Sequence, residues 1–326
     1  MDVLILKYEK LFNDYLDENL NFNDPKNLYG PIKYFMRIGG KRVRPVLLIM
    51  TCDILRKNIN KALPAAICVE FLHNFTLVHD DIIDRSKLRR GKQTIHEKWD
   101  LNTAILSGDL MNILSYQFLQ PYSDKLFKKL SILLNETSVK LCVGQQWDID
   151  YSQIEKTTRS NYIEMIRYKT SELIACSLKM GALIGGLSNR YSDLFYEYGI
   201  NLGIAFQIQD DYLDIFGRKK IFGKKIGTDI LENKKTLLYI NTYESSSVND
   251  KKELIKLYSS TNNIDSKTKI KRVKEIFLKN GADKKVLKDI MKYQKKCYEL
   301  INNFPIEDIK KKLYKNLTDK ILFREK

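Results

Sequence analysis

The clearest helical signal in the chain is the segment Phe71-Leu-His-Asn-Phe-Thr-Leu-Val-His-Asp-Asp-Ile-Ile-Asp84, which is apolar and ends in three aspartates. Asp80 and Asp84 are four residues apart, so on a helix they lie on one face, one turn above the other. Like charges in this relation repel, and aspartate is a poor residue for a helix interior. We therefore expect a positive group to lie over that face.

A second segment, Phe206-Gln-Ile-Gln-Asp-Asp-Tyr-Leu-Asp214, repeats the pattern, with Asp210 and Asp214 again at i, i+4. A single aspartate pair is more often a helix cap or a solvated surface. Two matching sets in apolar segments instead favour Mg²⁺, which is usually held by one or two carboxylates together with substrate phosphates. The hypothesis is that Asp80, Asp84, Asp210 and Asp214 are metal ligands that face each other across one site.

Composition predicts an all-α protein. Of the 326 residues, 44% are hydrophobic and 29% charged, which is typical of a soluble globular protein with a core. Only 15 glycines and 6 prolines interrupt the chain, and this favours long helices over a many-turned β architecture. No low-complexity linker divides the sequence, so residues 1–326 are predicted to form a single domain.

The net charge of +16 has three interpretations: nucleic-acid binding, attraction of small anionic substrates, or a solvated lysine-rich surface. From residue 251 onward lysines are interspersed with acids, which favours the solvated surface there. No nucleic-acid-binding motif is present, so no nucleic-acid partner is predicted. The five cysteines are dispersed, the N-terminus does not resemble a signal peptide, and no uncharged apolar run reaches the ~18 residues that span a bilayer. We predict a cytoplasmic protein without stable membrane insertion.

Several basic residues follow turns or lie beside apolar segments. They are Lys41, Arg44, Arg89, Arg90, Lys169, Lys224 and Lys234. Each alone is more often a surface charge, but together with two carboxylate clusters they indicate diphosphate binding. The phosphate-binding glycine loop G-x-x-x-x-G-K-[ST] is absent, which argues against an ordinary NTPase. His73 lies about two turns before Asp80, so it could face the same cleft.

The sequence resembles the trans-isoprenyl diphosphate synthases, the polyprenyl synthase family, and in motif pattern the archaeal-type geranylgeranyl diphosphate synthases. Asp80-Asp-Ile-Ile-Asp84 and Asp210-Asp-Tyr-Leu-Asp214 resemble the two aspartate-rich motifs of the family. Gly39-Gly-Lys-Arg-Val-Arg-Pro45 resembles its isopentenyl diphosphate motif. The other matching segments are Arg89-Arg90-Gly91, Lys169-Thr170, Phe206-Gln207 and Gly223-Lys224. Because Lys225 follows Lys224, the choice between these two lysines stays open.

The resemblance implies a single all-helical domain around a deep cavity (the isoprenoid synthase fold), a homodimer, and 1′-4 condensation of isopentenyl diphosphate with an allylic diphosphate. It implies three Mg²⁺ per active site, with Mn²⁺ as an alternative ion. Catalytic roles fall on Asp80, Asp84, Asp210 and Lys169. The resemblance assigns Lys169, Arg89, Lys224 and Lys234 to the leaving diphosphate. It assigns Lys41, Arg44, His73 and Arg90 to isopentenyl diphosphate. Gly40, Thr170 and Gln207 complete the predicted substrate-binding set.

Product length is predicted from the helix before Asp80. Phe75 lies about 7.5 Å upstream along a helix axis, although plain core packing is an equal alternative for it. One aromatic here with a small neighbour, Thr76, resembles the C20 enzymes of the family. A C15 or longer-chain synthase is the alternative, and outside this chemistry the candidates are a terpene cyclase and a silent helical regulatory subunit.

Overall fold

The computed structural model describes residues 2–21, 23–55, 58–217, 227–259 and 264–323. Lys224 and its neighbour Lys225 lie outside the described residues, so the question of which lysine binds diphosphate stays open.

Helices make up most of the described chain, and the all-α prediction is confirmed. The α-helices are α1 (Asp2–Asn19), α2 (Lys26–Arg37), α3 (Val43–Ile54), α4 (Leu63–Ile83), α5 (Ile95–Lys98), α6 (Leu101–Gln117), α7 (Asp124–Gln153), α8 (Arg159–Ile166), α9 (Glu172–Ile184), α10 (Asn189–Phe216), α11 (Thr228–Leu231), α12 (Leu237–Ser245), α13 (Val248–Leu257), α14 (Ser266–Lys279), α15 (Ala282–Asn302) and α16 (Asp308–Leu322). The remaining elements are a 3₁₀ turn (Ile59–Ala62), a π-helical turn (Arg167–Ser171) and the strands β1 (Leu88–Arg89) and β2 (Lys92–Gln93).

The chain divides into two compact units. The first unit comprises Met1–Val139, Leu173–Glu197 and Phe304–Leu313. The second unit comprises Lys140–Glu172, Tyr198–Asn303 and Tyr314–Lys326. The single domain over residues 1–326 stays a prediction.

In the first unit, α4 packs against α3 and α6. Pro64 occupies its first turn, where the missing N–H costs nothing. Residues such as Phe71 and Leu72 are fully buried, whereas the last turn becomes polar. The apolar body of α4 is therefore fixed in the core, and its C-terminal end carries the first aspartate motif.

The same helix is also the core of a long apolar segment. Among the described residues, one helical run, Ile59–Ile83, is long and apolar enough to cross a bilayer. Of its most apolar window, 72% is buried inside the protein, as in the core helix of a globular fold.

The second unit packs α12 against α15 and brings α10 close to the π-helical turn. A Cβ at Gly203 of α10 would lie 2.5 Å from the Cα of Ser171. A Cβ at Gly144 of α7 would lie 2.4 Å from the backbone nitrogen of Lys169. Both distances are far below van der Waals contact, so glycine is needed at both positions for the helices to approach this turn.

The sequence also predicts a polar, proline-containing connection over residues 21–30 and a polar, basic loop after Asp84, and the structure differs at both. The polar connection predicted for residues 21–30 is interrupted by α2, which begins at Lys26 after Pro25. The loop predicted after Asp84 contains the antiparallel hairpin β1–β2. Arg90 and Gly91 form its two-residue turn with φ of 52° and 75°, as a type I′ turn requires. The hairpin was missed because strands of two residues have no readable alternation.

Candidate active site

Both aspartate motifs lie at the C-terminal ends of their helices. Asp80 is in the last turn of α4 and Asp84 is its exposed C-cap, while Asp210 and Asp214 are in the last two turns of α10. The helix macrodipole is negative at this end, so carboxylates here add charge where it is least favourable. Both ends are therefore suited to bind cations.

The middle aspartate of the first motif is not directed to solvent. Asp81 is buried, and Nε of Arg89 donates to both of its carboxylate oxygens at 2.8 Å. The Nη2 atom of Arg89 lies 2.7 Å from Oδ1 of Asp81. Burial raises the pKa of Asp81, while the bonds and charge of Arg89 act in the opposite direction. Nε and Nη2 of Arg89 thus both contact Asp81, and diphosphate binding by Arg89 stays a prediction.

The hairpin turn positions the second arginine of this pair. The φ of Arg90 is positive, which is uncommon for a side chain with a Cβ and recurs at functional sites. Its guanidinium lies against Gly40, where a Cβ would come within 2.6 Å of Nη1. Gly40 itself has φ of 148°. The glycine predicted in the isopentenyl diphosphate motif therefore makes space for the guanidinium of Arg90.

Arg44 and His73 form a pair in the first unit, with Nη1 of Arg44 3.0 Å from Nε2 of His73. A guanidinium only donates, so Nε2 accepts and the proton of a neutral His73 lies on Nδ1. Burial and the charges of four arginines, Arg44 foremost, hold the pKa of His73 well below its usual value. Burial also lowers the pKa of Arg44 to about 10, so it stays charged at neutral pH.

The buried Nε of Arg44 has no hydrogen-bond partner among the described residues. A buried donor without a partner is costly, and an anion would satisfy it. In contrast, Arg42 has both of its contacts inside the fold. It pairs with Glu70 at 2.6 Å and donates to the carbonyl of Met36 at 2.5 Å. The described contacts thus leave Arg44 with a buried donor that a ligand could satisfy, and Lys41 is exposed.

The residues predicted to set product length lie upstream on α4. Phe75 is half-buried, and its ring packs edge-on against His79 with centroids 4.9 Å apart. The hydroxyl of Thr76 donates to the carbonyl of His73 at 2.8 Å. A Cβ at Gly108 of α6 would lie 2.3 Å from Nε2 of His79, so α6 closely approaches this side of α4. The role of Phe75 as a cavity floor stays a prediction.

In the second unit, Lys169 and Thr170 lie in the π-helical turn. A π turn accommodates one extra residue in a helix, and such turns occur often at functional sites. The ammonium of Lys169 lies 2.5 Å from Oδ2 of Asp148. Thr170 donates its hydroxyl to Oε1 of Gln207 at 2.8 Å. The turn thus connects α7 on one side with α10 on the other.

A hydrogen-bond chain continues from Gln207 to the second motif. Nε2 of Gln207 donates to Oδ1 of Asp211 at 2.8 Å, and the hydroxyl of Tyr162 donates to Oδ2. Burial, followed by the charge of Asp229, raises the pKa of Asp211 well above its usual value. Asp211 is the counterpart of Asp81, but its direct partners are neutral.

Asp229 and Lys234 lie beside this hydrogen-bond chain in the second unit. Nζ of Lys234 lies 2.9 Å from Glu232 and 3.5 Å from Asp229. Burial raises the pKa of Asp229 to about 6, whereas the charge of Asp229 raises the pKa of Lys234. The backbone N–H of Asp229 donates to Asp214 at 3.1 Å. A cavity of about 80 Å³ is lined here by Lys169, Thr170, Gln207, Asp211, Asp229 and Lys234, among others.

The donor set fits magnesium bound together with a phosphate. Among the described residues, no three or more His, Cys, Asp or Glu side chains converge as a metal cage. Mg²⁺ does not need such a cage, because it keeps waters and shares one or two carboxylates with substrate phosphates. The half-buried Asp80 and Asp210 and the exposed Asp84 offer such oxygens. Asp214 accepts from the hydroxyl of Thr228 at 2.6 Å and from the backbone N–H of Asp229 at 3.1 Å, so its carboxylate is held in place.

Sequence reasoning missed the residues that hold the predicted ones in place. These are Asp148, Tyr162, Asp211, Thr228 and Asp229 in the second unit, and Asp81 in the first. Asp81 and Asp211 could have been found from their place beside the outer aspartates, since their side chains leave the helix on another face. The other four residues lie outside the motifs, and no sequence pattern predicts which motif residue each of them contacts.

Comparison with known proteins decides the family. Residues 25–277 match the polyprenyl synthetase family. The chain belongs to this family. A geranylgeranyl diphosphate synthase of Methanosarcina mazei is 40% identical over 231 residues, which cover 70% of this chain and 71% of the relative.

Solved structures of the family share the fold. A crystal structure of a geranylgeranyl pyrophosphate synthase matches with a TM-score of 0.95 at 38% identity and covers 99% of both chains. A geranylgeranyl pyrophosphate synthase of Corynebacterium glutamicum, complexed with isoprenyl diphosphate and magnesium, matches with a TM-score of 0.86 at 25% identity. That match covers 98% of this chain and 99% of the other. The all-α isoprenoid synthase fold is therefore confirmed, as is the predicted family.

Proposed function

We propose that this chain is a magnesium-dependent trans-prenyltransferase that condenses isopentenyl diphosphate with allylic diphosphates and forms geranylgeranyl diphosphate. The observation that carries the proposal is the similarity to geranylgeranyl diphosphate synthases over 70% of the chain, with both aspartate motifs intact. A silent regulatory subunit is disfavoured, because such a subunit has no need for two complete aspartate motifs.

The metal ligands would be Asp80, Asp84, Asp210 and Asp214. Bound magnesium would supply positive charge to the diphosphate that leaves the allylic substrate. The complex of the Corynebacterium glutamicum relative with isoprenyl diphosphate and magnesium supports this assignment. The number of ions, three per active site, and the use of Mn²⁺ as an alternative are part of the same proposal.

The cations of the first unit would bind isopentenyl diphosphate. Arg44 offers its buried Nε, and His73 fixes the guanidinium by accepting from Nη1. Arg90 lies beside Gly40, which leaves room for its guanidinium, and Lys41 adds an exposed ammonium. Charge-assisted hydrogen bonds of this kind are short and strong, so they would hold the nucleophilic double bond in place.

The second unit would assist departure of the allylic diphosphate. Lys169 and Lys234 are held by carboxylates, so their ammonium groups are positioned before substrate binds. Thr170 and Gln207 would orient the substrate, and Arg89 and Lys224 are assigned to the same diphosphate. The C–O bond of the allylic diphosphate breaks, and a C–C bond forms between C1′ of the allylic group and C4 of isopentenyl diphosphate. The proton that the isopentenyl unit then loses passes to the departed diphosphate.

A homodimer is the proposed assembly. The α6 helix exposes Leu101, Leu106 and Ile113, with 51%, 58% and 59% of their surface accessible. Apolar surface of this kind on a folded unit favours association with a second copy. Sedimentation at twice the chain mass of 38.2 kDa would check the assembly. A cytoplasmic location is proposed as well, and it agrees with five cysteines that are all free.

Chain elongation tests the function. Purified protein is incubated with magnesium, isopentenyl diphosphate and each allylic diphosphate, and the product lengths are read by chromatography. We expect a C20 product that EDTA abolishes. We also expect Phe75→Ala to lengthen the product, and an unchanged product spectrum would remove Phe75 as the cavity floor. A chain that elongates no primer would contradict the proposal.

A further inference from the structure

The second unit contains another cavity, larger than the one beside Asp211. Its volume is about 550 Å³, within the range of small-molecule pockets. The walls come from the end of α7, the turn after α11, and helices α12 and α13, and they include Glu155, Asn233, Lys235, Tyr239 and Tyr258. Lys235 also lines the cavity that contains Lys169 and Lys234. One amine is thus common to both cavities.

Two buried lysines lie in or beside the wall of this cavity: Lys235 lines it, and Lys269 contacts its wall residues Asn233 and Tyr258. Lys235 is 7% exposed and Lys269 is 8% exposed, which is rare for lysine. Their ammonium groups approach the same ring, since the Nζ atoms of Lys235 and Lys269 lie 5.1 and 5.7 Å from the centroid of Tyr258. Two positive charges therefore lie close to the ring of Tyr258, one on a residue that lines the cavity and one on a residue beside it.

Neither ammonium forms an ion pair with a carboxylate among the described residues. Lys235 donates to the carbonyl of Asn233 at 2.9 Å, and Lys269 donates to Oδ1 of Asn233 at 2.7 Å. The two acids in the cavity wall are exposed and have other contacts. Glu155 accepts from Tyr243 at 3.4 Å, and Glu232 pairs with Lys234 at 2.9 Å.

Buried charges are normally paired, because desolvation without a counter-ion is costly. Burial, followed by the charge of Lys269, lowers the pKa of Lys235 to about 8. Burial lowers the pKa of Lys269 as well. The contacts with Tyr239 and Tyr258 offset only part of this cost. An anion between the two lysines would remove most of it.

We infer that this cavity is a second anion site that binds a diphosphate group through Lys235 and Lys269. Two ammonium groups match an anion with more than one charge, and diphosphate is a compact anion of this kind. The inference goes beyond the proposed prenyl transfer, because anion binding here needs neither magnesium nor the aspartate motifs. Since Lys235 also lines the cavity of Lys169 and Lys234, occupancy of the second site restricts the movement of an amine in the first.

Binding of inorganic diphosphate tests the site. Equilibrium dialysis with labelled diphosphate in EDTA compares the full-length protein with Lys269→Gln and with Lys271→Gln. Lys271 is exposed on the same helix, so its variant loses the same charge outside the cavity. We expect Lys269→Gln to weaken binding about tenfold, because one charge-assisted contact is lost, and Lys271→Gln to leave binding unchanged. Equal affinities in the two variants would overturn the inference.

A labelling experiment on the unaltered protein keeps the test independent of folding in the variants. An amine with a pKa near 8 reacts faster at pH 8 than ordinary lysines, so limiting acetic anhydride should acetylate Lys235 early. Mass spectrometry then follows Lys235, Lys269 and Lys271 with inorganic diphosphate or with farnesyl diphosphate present. Because Lys235 also lines the first cavity, the criterion is joint protection of Lys235 and Lys269, since Lys269 does not line the first cavity. Joint protection by inorganic diphosphate identifies the free anion as ligand, and joint protection by farnesyl diphosphate alone identifies an isoprenoid head group. If neither compound protects the two lysines together, the site does not exist.

Discussion

Asp81 and Asp211 occupy the same place in two motifs of the same pattern, and both are buried. Asp81 receives a guanidinium, because Arg89 donates to both of its oxygens. Among the described residues, Asp211 accepts hydrogen bonds from the neutral donors of Tyr162 and Gln207. Of the charges that act on its pKa, that of the acid Asp229 outweighs that of Lys234. The two middle carboxylates therefore differ in charge environment although their sequences match. The pattern specifies a helix end with two outer carboxylates, while distant residues specify how the buried middle carboxylate is satisfied.

The largest expected effect is a loss of kcat when an outer aspartate of either motif is replaced, compared with an exposed carboxylate elsewhere. Asp80→Asn and Asp210→Asn should each lower kcat by about 10²–10³-fold or more, because each removes charge that acts on the leaving diphosphate. Initial rates of elongation would measure this. Glu299→Gln, which removes an exposed carboxylate from α15, is the control and should keep its rate. Substantial activity in either aspartate variant would contradict the metal assignment.

The next largest effect is a loss of stability when a hydrogen-bond partner of Asp81 or of Asp211 is removed. Arg89→Met leaves Asp81 buried without its cation and should lower the free energy of unfolding by about 3 kcal/mol. Tyr162→Phe removes one neutral donor and leaves Gln207 on Asp211, so a loss of about 1 kcal/mol is expected. Urea denaturation of both variants measures the difference. The double variant Arg89→Met with Asp81→Asn should recover part of the first loss. If both single variants lose the same free energy, the contrast drawn between the motifs is wrong.

The smallest expected effect is a pH dependence of the free energy of unfolding, caused by His73 in the first unit. The folded pKa of His73 lies well below its usual value of 6.5, so below pH 6.5 the unfolded chain binds a proton that the folded chain does not. The free energy of unfolding should therefore fall as the pH drops from 6.5 to 5, at up to ~1.4 kcal/mol per pH unit. Urea titrations at several pH values measure the slope. In His73→Gln the slope should be smaller, and an unchanged slope would show that His73 is protonated in the fold.

Much of this site could be predicted from the sequence, because local spacing determines what shares a helix face. The i, i+4 aspartates, the proline at the start of α4 and the glycine beside Arg90 all act through nearby backbone geometry. The partners of Asp81 and Asp211 could not be predicted in the same way. Arg89 lies in β1, eight positions after Asp81, and Tyr162 lies 49 positions from Asp211. Such contacts depend on tertiary packing, which a single sequence does not display.

The roles of individual basic residues were the hardest to predict from the sequence. Arg42 and Arg44 are two positions apart in one motif, yet Arg42 pairs with buried Glu70 while Arg44 keeps an unpartnered donor. Lys234 and Lys235 are adjacent, yet one pairs with acids and the other lies between tyrosines. Burial and neighbours, rather than residue type, separate these roles. Lys224 lies outside the described residues, so its role stays a prediction.

The π-helical turn constrains the number of residues in its helix as well as their identity. Between α8 and α9 the five residues Arg167–Ser171 hold one residue more than a regular α-helix would. Deleting Arg167 or Ser171 would let this turn close into a regular α-helix, in which each residue advances by about 100°, and the bulge that holds Lys169 and Thr170 would be lost. Lys169 and Thr170 would then leave their places beside Asp148 and Gln207. A chain with every motif intact could thus lose its chemistry through a single codon deletion, which a comparison of motifs alone would not detect.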